Sequence, residues 1–189
     1  LTVYEGMTGM MENAFINVKG VHHTITAEIE VKEAAASGVI IAQAGYFGGW
    51  TLYMKEGKVH HEYNWFAIER TNIAAPSALS AGKHTIVYEF TPDEAKPGTG
   101  GKSIITIDGQ QVAEGHIPKT QPFAFSADEG ADVGADGETN VSPDYKQGDN
   151  DFTGKIVKVT IELKEMKTAD HEEAEKSYKE AALKKGLAN

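Results

Sequence analysis

The stretch from Gly38 to Lys58 constrains the fold more than any other part of the chain. Val39, Ile40 and Ile41 form a short apolar run suited to a strand covered on both faces. A glycine-punctuated turn follows. Trp50, Leu52 and Met54 then alternate with Thr51, Tyr53 and Lys55, as a half-buried strand requires. Glu56-Gly57 turns the chain into a third strand over Val59 to Phe66. The same period of two recurs elsewhere. Ile25, Ala27, Ile29 and Val31 oppose Thr24, Thr26, Glu28 and Glu30, while Ile86, Tyr88 and Phe90 point inward from Lys83 to Thr91. Ser103 to Ile117 reads as a hairpin about Asp108-Gly109, a strong short-range hairpin signal. In the last strand, Lys155 to Lys164, Val157, Val159, Ile161 and Leu163 share one face. Pairing of the outermost strands would bring residue 25 near residue 160.

Helical periodicity appears only at the end. Asp170 with Glu173 resembles a capping box, Glu172–Lys176, Glu175–Lys179 and Glu180–Lys184 are favourable i,i+4 pairs, and Gly186 is a stop. The expected architecture is therefore all-β: a two-sheet antiparallel jelly-roll sandwich over residues 1–166, with 1–20 as a lead-in segment. A C-terminal α-helix over 167–189 is appended to it. A chain of 189 residues suits one such domain and buries enough surface to need no disulfide staple, in keeping with the lack of cysteine.

Charge and composition remove several classes of function. A net charge of −10 argues against a nucleic-acid partner and against an anionic membrane surface. No apolar run approaches the ~20 residues that span a bilayer. Thiol catalysis and thiolate metal sites need cysteine; Gly-x-Ser-x-Gly and Walker motifs do not occur. Glycosidases of this architecture use an array of acids on one strand, and Glu28-Ile-Glu30 is the nearest approach. The chain is expected not to be an enzyme. Leu1 is not an initiator methionine and no signal peptide precedes Thr2, so a processed chain or a piece of a longer one is expected.

A family resemblance rests on the order of several segments. Gly38 to Tyr63, Tyr63-Asn-Trp-Phe-Ala-Ile-Glu-Arg70, Ala81-Gly-Lys-His-Thr-Ile86 and Thr120-Gln-Pro-Phe-Ala-Phe-Ser126 are similar to the C-terminal region of bacterial arylsulfatases. So are Asp132-Val-Gly-Ala-Asp136, Val141-Ser-Pro-Asp-Tyr145 and Phe152-Thr-Gly-Lys-Ile156. That region resembles a concanavalin A-like, laminin-G-like jelly roll. The family's catalytic motif, a Cys or Ser followed by x-Pro-x-Arg, is absent: Arg70 is the only arginine and Ala67 stands three residues before it. The resemblance thus implies a non-catalytic, lectin-like accessory domain in a periplasmic or secreted setting. Its partner would be a carbohydrate or a sulfatase catalytic domain. The alternative is a structural module that packs on such a domain or forms a homo-oligomer, with no ligand of its own.

Two groups of side chains are candidates for contact. Among the aromatic residues, Trp50 shares a face with Leu52 and Met54 and belongs to the core, whereas Tyr53 lies on the opposite face. Tyr46 and Phe47 sit in the glycine-rich turn, committed to neither face. These three, with His61 assembled across strands beside a carboxylate, are the candidate ligand-binding set; a core role for the rings is the competing reading. The second group is acidic: Ala127 to Asp151 holds eight carboxylates against Lys146 alone. Ca²⁺ on Asp128, Asp132, Asp136 and Asp144 would relieve their mutual repulsion. The competing reading is solvated loops in which Asp132 and Asp136 accept hydrogen bonds from turn amides.

Overall fold

The structure, a computed structural model, describes residues 1–164. In chain order the strands are β1 (Thr2–Val3), β2 (His23–Val31), β3 (Gly38–Gly45), β4 (Gly48–Lys55), β5 (Lys58–Trp65) and β6 (Glu69–Ala74). There follow β7 (Gly82–Pro92), β8 (Gly101–Ile107), β9 (Gln110–Ile117), β10 (Ala131–Val133) and β11 (Lys155–Leu163). They form a six-stranded sheet, β1-β11-β2-β7-β8-β9, and a five-stranded sheet, β10-β3-β4-β5-β6. Neighbouring strands in both sheets run antiparallel. This is the expected jelly-roll sandwich, and no helix occurs among the described residues. The helix expected over 167–189 lies outside them.

The alternation on each strand explains the core. Trp50, Leu52 and Met54 of β4 meet Ile25, Ile29, Ile86, Tyr88 and Ile105 of the six-stranded sheet, all buried. Full burial of side chains this large stabilises by roughly 1.5–3 kcal/mol each. Ile161 pairs with Ile25, as the outer-strand argument requires. The Asp108-Gly109 and Glu56-Gly57 turns carry positive φ at both residues (51° and 82°; 52° and 78°), the twist that two-residue hairpins favour.

Four local features depart from the expectation. β6 reads weakly because only Ile73 of Glu69–Ala74 is buried. β10 is three residues long, too short for a period to show. A bulge between Ile156 and Lys158 turns Val157 outward, so Ile156 takes the core position in its place. The lead-in segment is also more tightly held than a loop. Thr2 and Val3 pair with β11, Met10 bridges to Ala131, and Glu12 forms an ion pair with the buried Lys19. No helix among the described residues is long and apolar enough to cross a membrane.

Candidate functional site

Strand parity places Tyr53 on the outer face of the five-stranded sheet, as expected, yet it is only 1% exposed. Residues 134–152 fold across that face, and Val141 and Tyr145 pack with Val39, Ala42 and Tyr53 into a small second core. The Tyr53 hydroxyl donates to Asp144 Oδ2 at 2.6 Å and accepts from Asn72 Nδ2 at 2.7 Å. Burial, with the Asp144 carboxylate beside it, pushes its pKa up. Tyr53 is thus a buried anchor for the overlying loop.

His61 also departs from the expectation. It shares the inner face with Val59 and Tyr63, and its ring stacks on Tyr88 at 3.6 Å between centroids, tilted by 10°. Its Nδ1 has no hydrogen-bond partner, and burial lowers its pKa well below the ordinary histidine value. Such a ring is a core element, beside a small cavity that His23, Trp50 and Tyr63 also line.

The four aspartates take separate roles. Asp132 Oδ1 accepts from Gly9 N–H at 2.6 Å and its Oδ2 from Gly137 N–H at 3.0 Å. Asp136 Oδ2 accepts from Val141 N–H at 2.9 Å and the Tyr145 hydroxyl at 2.6 Å. Burial, opposed by those two donors and assisted by nearby Asp132 and Glu129, raises the Asp136 pKa to about 6. Asp144 accepts from Tyr53 and from Lys55 Nζ at 2.7 Å. Partial burial pushes its carboxyl up, but the Lys55 ammonium and the Tyr53 hydroxyl hold it below the ordinary value. Asp128 is exposed. Among the described residues no three His, Asp or Glu side chains are grouped to hold a metal ion; Asp132 and Asp136 fasten turns, and Asp144 ties its loop to β4.

Tyr46 and Phe47 remain at the surface, 51% and 70% exposed, their rings edge to face at 5.2 Å. Their turn, between β3 and β4, lies beside the β5–β6 turn, because Gly49 pairs with Asn64 and Asn64 with Arg70. That second tip exposes Phe66 and Ile68. Phe66 and Ala67 both hold the left-handed conformation, at φ 52° and 57°, which costs non-glycine residues of order 1–2 kcal/mol each. Buried Asn64 fixes both tips. Its Nδ2 donates to the carbonyls of Gly45 (3.1 Å), Tyr46 (2.8 Å) and Val141 (3.2 Å), and its Oδ1 accepts from Ala67 N–H at 2.9 Å.

Arg70 completes the patch. Its guanidinium carbon lies 5.5 Å from the Tyr46 ring centre, and Nε is 3.6 Å from Glu62 Oε1. Glu62 is buried, and its Oε2 accepts from Asn72 Nδ2 at 3.0 Å and the Ser142 hydroxyl at 2.9 Å. Lys119 Nζ sits 3.7 Å from the Trp65 ring centre and 3.2 Å from Glu69 Oε2. The patch therefore offers aromatic faces and cationic donors, and its two carboxylates are engaged by Arg70 and Lys119. Arg70 and Lys119 thus stand beside aromatic rings at the two hairpin tips. Motif reading used Arg70 only to exclude a sulfatase centre. The signal it carried was its singularity among eighteen basic side chains.

No family model matches the sequence, and no curated protein matches it. Among solved structures, the chain is similar to a CBM40 of the Ruminococcus gnavus IT-sialidase bound to α2,3-sialyllactose. The identity is 14%, the TM-score 0.59, and 90% of this chain covers 95% of that one. It is also similar to domains LG4-5 of the mouse laminin α1 chain (18% identity, TM-score 0.53), with 86% of this chain against 38% of that one. A leech intramolecular trans-sialidase is similar over 90% of this chain and 26% of its own (12% identity, TM-score 0.54). At these identities the likeness establishes a jelly-roll fold shared with carbohydrate-binding and laminin-G domains. The arylsulfatase resemblance stays a reading of sequence motifs.

Proposed function

We propose that this chain is a non-catalytic, lectin-like carbohydrate-binding domain whose contact surface is the pair of hairpin tips around Tyr46, Phe47 and Arg70. The observation that carries the reading is the exposed Tyr46–Phe47 pair beside a guanidinium held in place from below by buried Glu62. Rings of this kind cover the C–H faces of a sugar while an adjacent donor meets its oxygens. The sialyllactose bound by the Ruminococcus gnavus CBM40 supports the choice of a glycan. As the motif resemblance implies, the domain would serve a sulfatase or similar enzyme outside the cytoplasm. The reading calls on no bound ion.

Glycan-array binding and affinity electrophoresis test it, with Phe47→Ala as the perturbation. Phe47 is a tip residue, so the melting temperature should hold while glycan retention falls; retention equal to wild type would remove the tip from the site. A second reading draws on Ile68, 76% exposed, and Phe66 on the neighbouring tip. Apolar side chains this open suit packing on another domain or a second copy. Dimerisation in light scattering, with no glycan retained, would favour that structural role.

A further inference from the structure

Every basic side chain of this protein but one is a lysine, and the exception stands in the tip patch. Lysine is a compact point charge on a flexible stem. Arginine presents a planar fork of N–H donors that matches a carboxylate or a sulfate edge with two parallel bonds.

The geometry holds that fork ready. Glu62 is 3% exposed and takes Asn72 and Ser142 on Oε2, which turns Oε1 towards Arg70 Nε at 3.6 Å. The guanidinium carbon lies over the Tyr46 ring, 5.5 Å from its centre. The side chain keeps 26% of its surface exposed, and among the described residues no hydrogen bond engages its terminal nitrogens. Arg70 Nε is buried without a hydrogen bond and is drawn to the Glu62 carboxylate only as an ion pair, so the guanidinium is left with its donors free beside two exposed rings, for a partner that brings acceptors.

We infer that the tip patch selects sugars bearing an oxyanion, with Arg70 as the specificity-determining residue that receives it and Glu62 as the positioning residue that aims Arg70. The inference rests on the carbohydrate-binding reading above and names the class of sugar. Tyr46 and Phe47 cover the apolar face of the same ring. The net charge of −10 repels acidic glycans in general, so a preference for them has to come from local contacts such as the Arg70 fork.

The test compares wild type, Arg70→Lys, Arg70→Gln and Glu62→Gln by affinity electrophoresis and calorimetry. The probes are sialyllactose and a glucuronic-acid oligosaccharide for a carboxylate, a 6-sulfated galactoside for a sulfate ester, and lactose as the neutral control. Acidic probes should bind wild type more tightly than lactose by on the order of tenfold, and Arg70→Lys, which keeps charge and loses the fork, should remove most of that margin. Glu62→Gln should weaken acidic probes and leave lactose unchanged, a split that a merely structural role would not give. Which acidic probe is preferred decides between carboxylate and sulfate. Lactose binding as tightly as the acidic probes, with Arg70→Lys without effect, overturns the oxyanion inference and leaves the carbohydrate reading standing. Retention of no probe overturns both. Thermal melts of all four proteins identify any variant that fails to fold, and Arg70→Lys then decides the matter against Arg70→Gln.

Discussion

Acidification should destabilise this protein through its two buried histidines, and His61→Phe should remove much of the effect. His23 is held near a pKa of about 4 by burial, although its hydrogen bond to the Val21 carbonyl pulls the other way. Its unfolded value is 6.5, so the folded state binds fewer protons. At 1.36 kcal/mol per unit, this histidine contributes about 3 kcal/mol that is present above pH 6.5 and lost as pH falls towards 4. Asp136 acts in the opposite sense. Its folded pKa of about 6 lies above the ordinary 3.8, so it adds about 3 kcal/mol that is fully present only below pH 3.8 and lost as pH rises through 6. Asp136 thus offsets part of the His23 effect, and His61 adds to the fall. His61 is buried, lies against Tyr88 and is shifted in the same direction as His23. Urea midpoints measured from pH 7.5 to 4.5 should therefore fall for wild type. His61→Phe should give a shallower fall, with stability at pH 7.5 maintained because the orphaned Nδ1, a cost of roughly 1–3 kcal/mol, is gone. Equal acid slopes in wild type and His61→Phe would refute the argument, as would a wild-type midpoint that does not move.

Two further substitutions probe the framework around the site. Tyr53→Phe removes a donor to Asp144 and an acceptor for Asn72, and should lower the unfolding free energy by about 1–3 kcal/mol in equilibrium denaturation; loss of amide-exchange protection should concentrate in residues 134–152. Gly38→Ala should cost more, above ~2 kcal/mol, because Gly38 has φ +107° and an added Cβ would lie 2.1 Å from the Asp151 carbonyl oxygen. A Gly38→Ala protein with wild-type stability would show that the 150–153 segment does not sit against β3 as described.

Much of the fold was legible because alternation is a local signal. Trp50, Leu52 and Met54 declare a buried face whatever lies opposite, and Asp108-Gly109 declares a hairpin without reference to the rest of the chain. The site was less legible because it depends on what covers what. Parity assigned Tyr53 to the outer face, but no local pattern says that Val141 and Tyr145 will lie on top of it. For His61 the information was present: Val59, His61 and Tyr63 share one parity, and the apolar neighbours place the histidine inside. Arg70 sits on an edge strand with one buried residue, so period reading passed over β6 altogether. The acidic segment illustrates the same limit, since charge density is visible in sequence while the separate amide partners of Asp132 and Asp136 are not.

The order of strands in the larger sheet bears on how the chain reaches its native state. β11, the last strand of the sandwich, sits between β1 and β2, so Thr2 pairs with Thr160 and His23 with Leu163. During synthesis, β2 and β7 can join long before β11 leaves the ribosome, which leaves one edge of β2 with unpaired amides and carbonyls for that whole interval. Closing loops of this length is slow, and an open edge next to a half-built apolar layer is where chains associate wrongly. Truncation before residue 155 should consequently yield aggregates in place of a smaller soluble domain, and refolding yield should fall steeply with protein concentration.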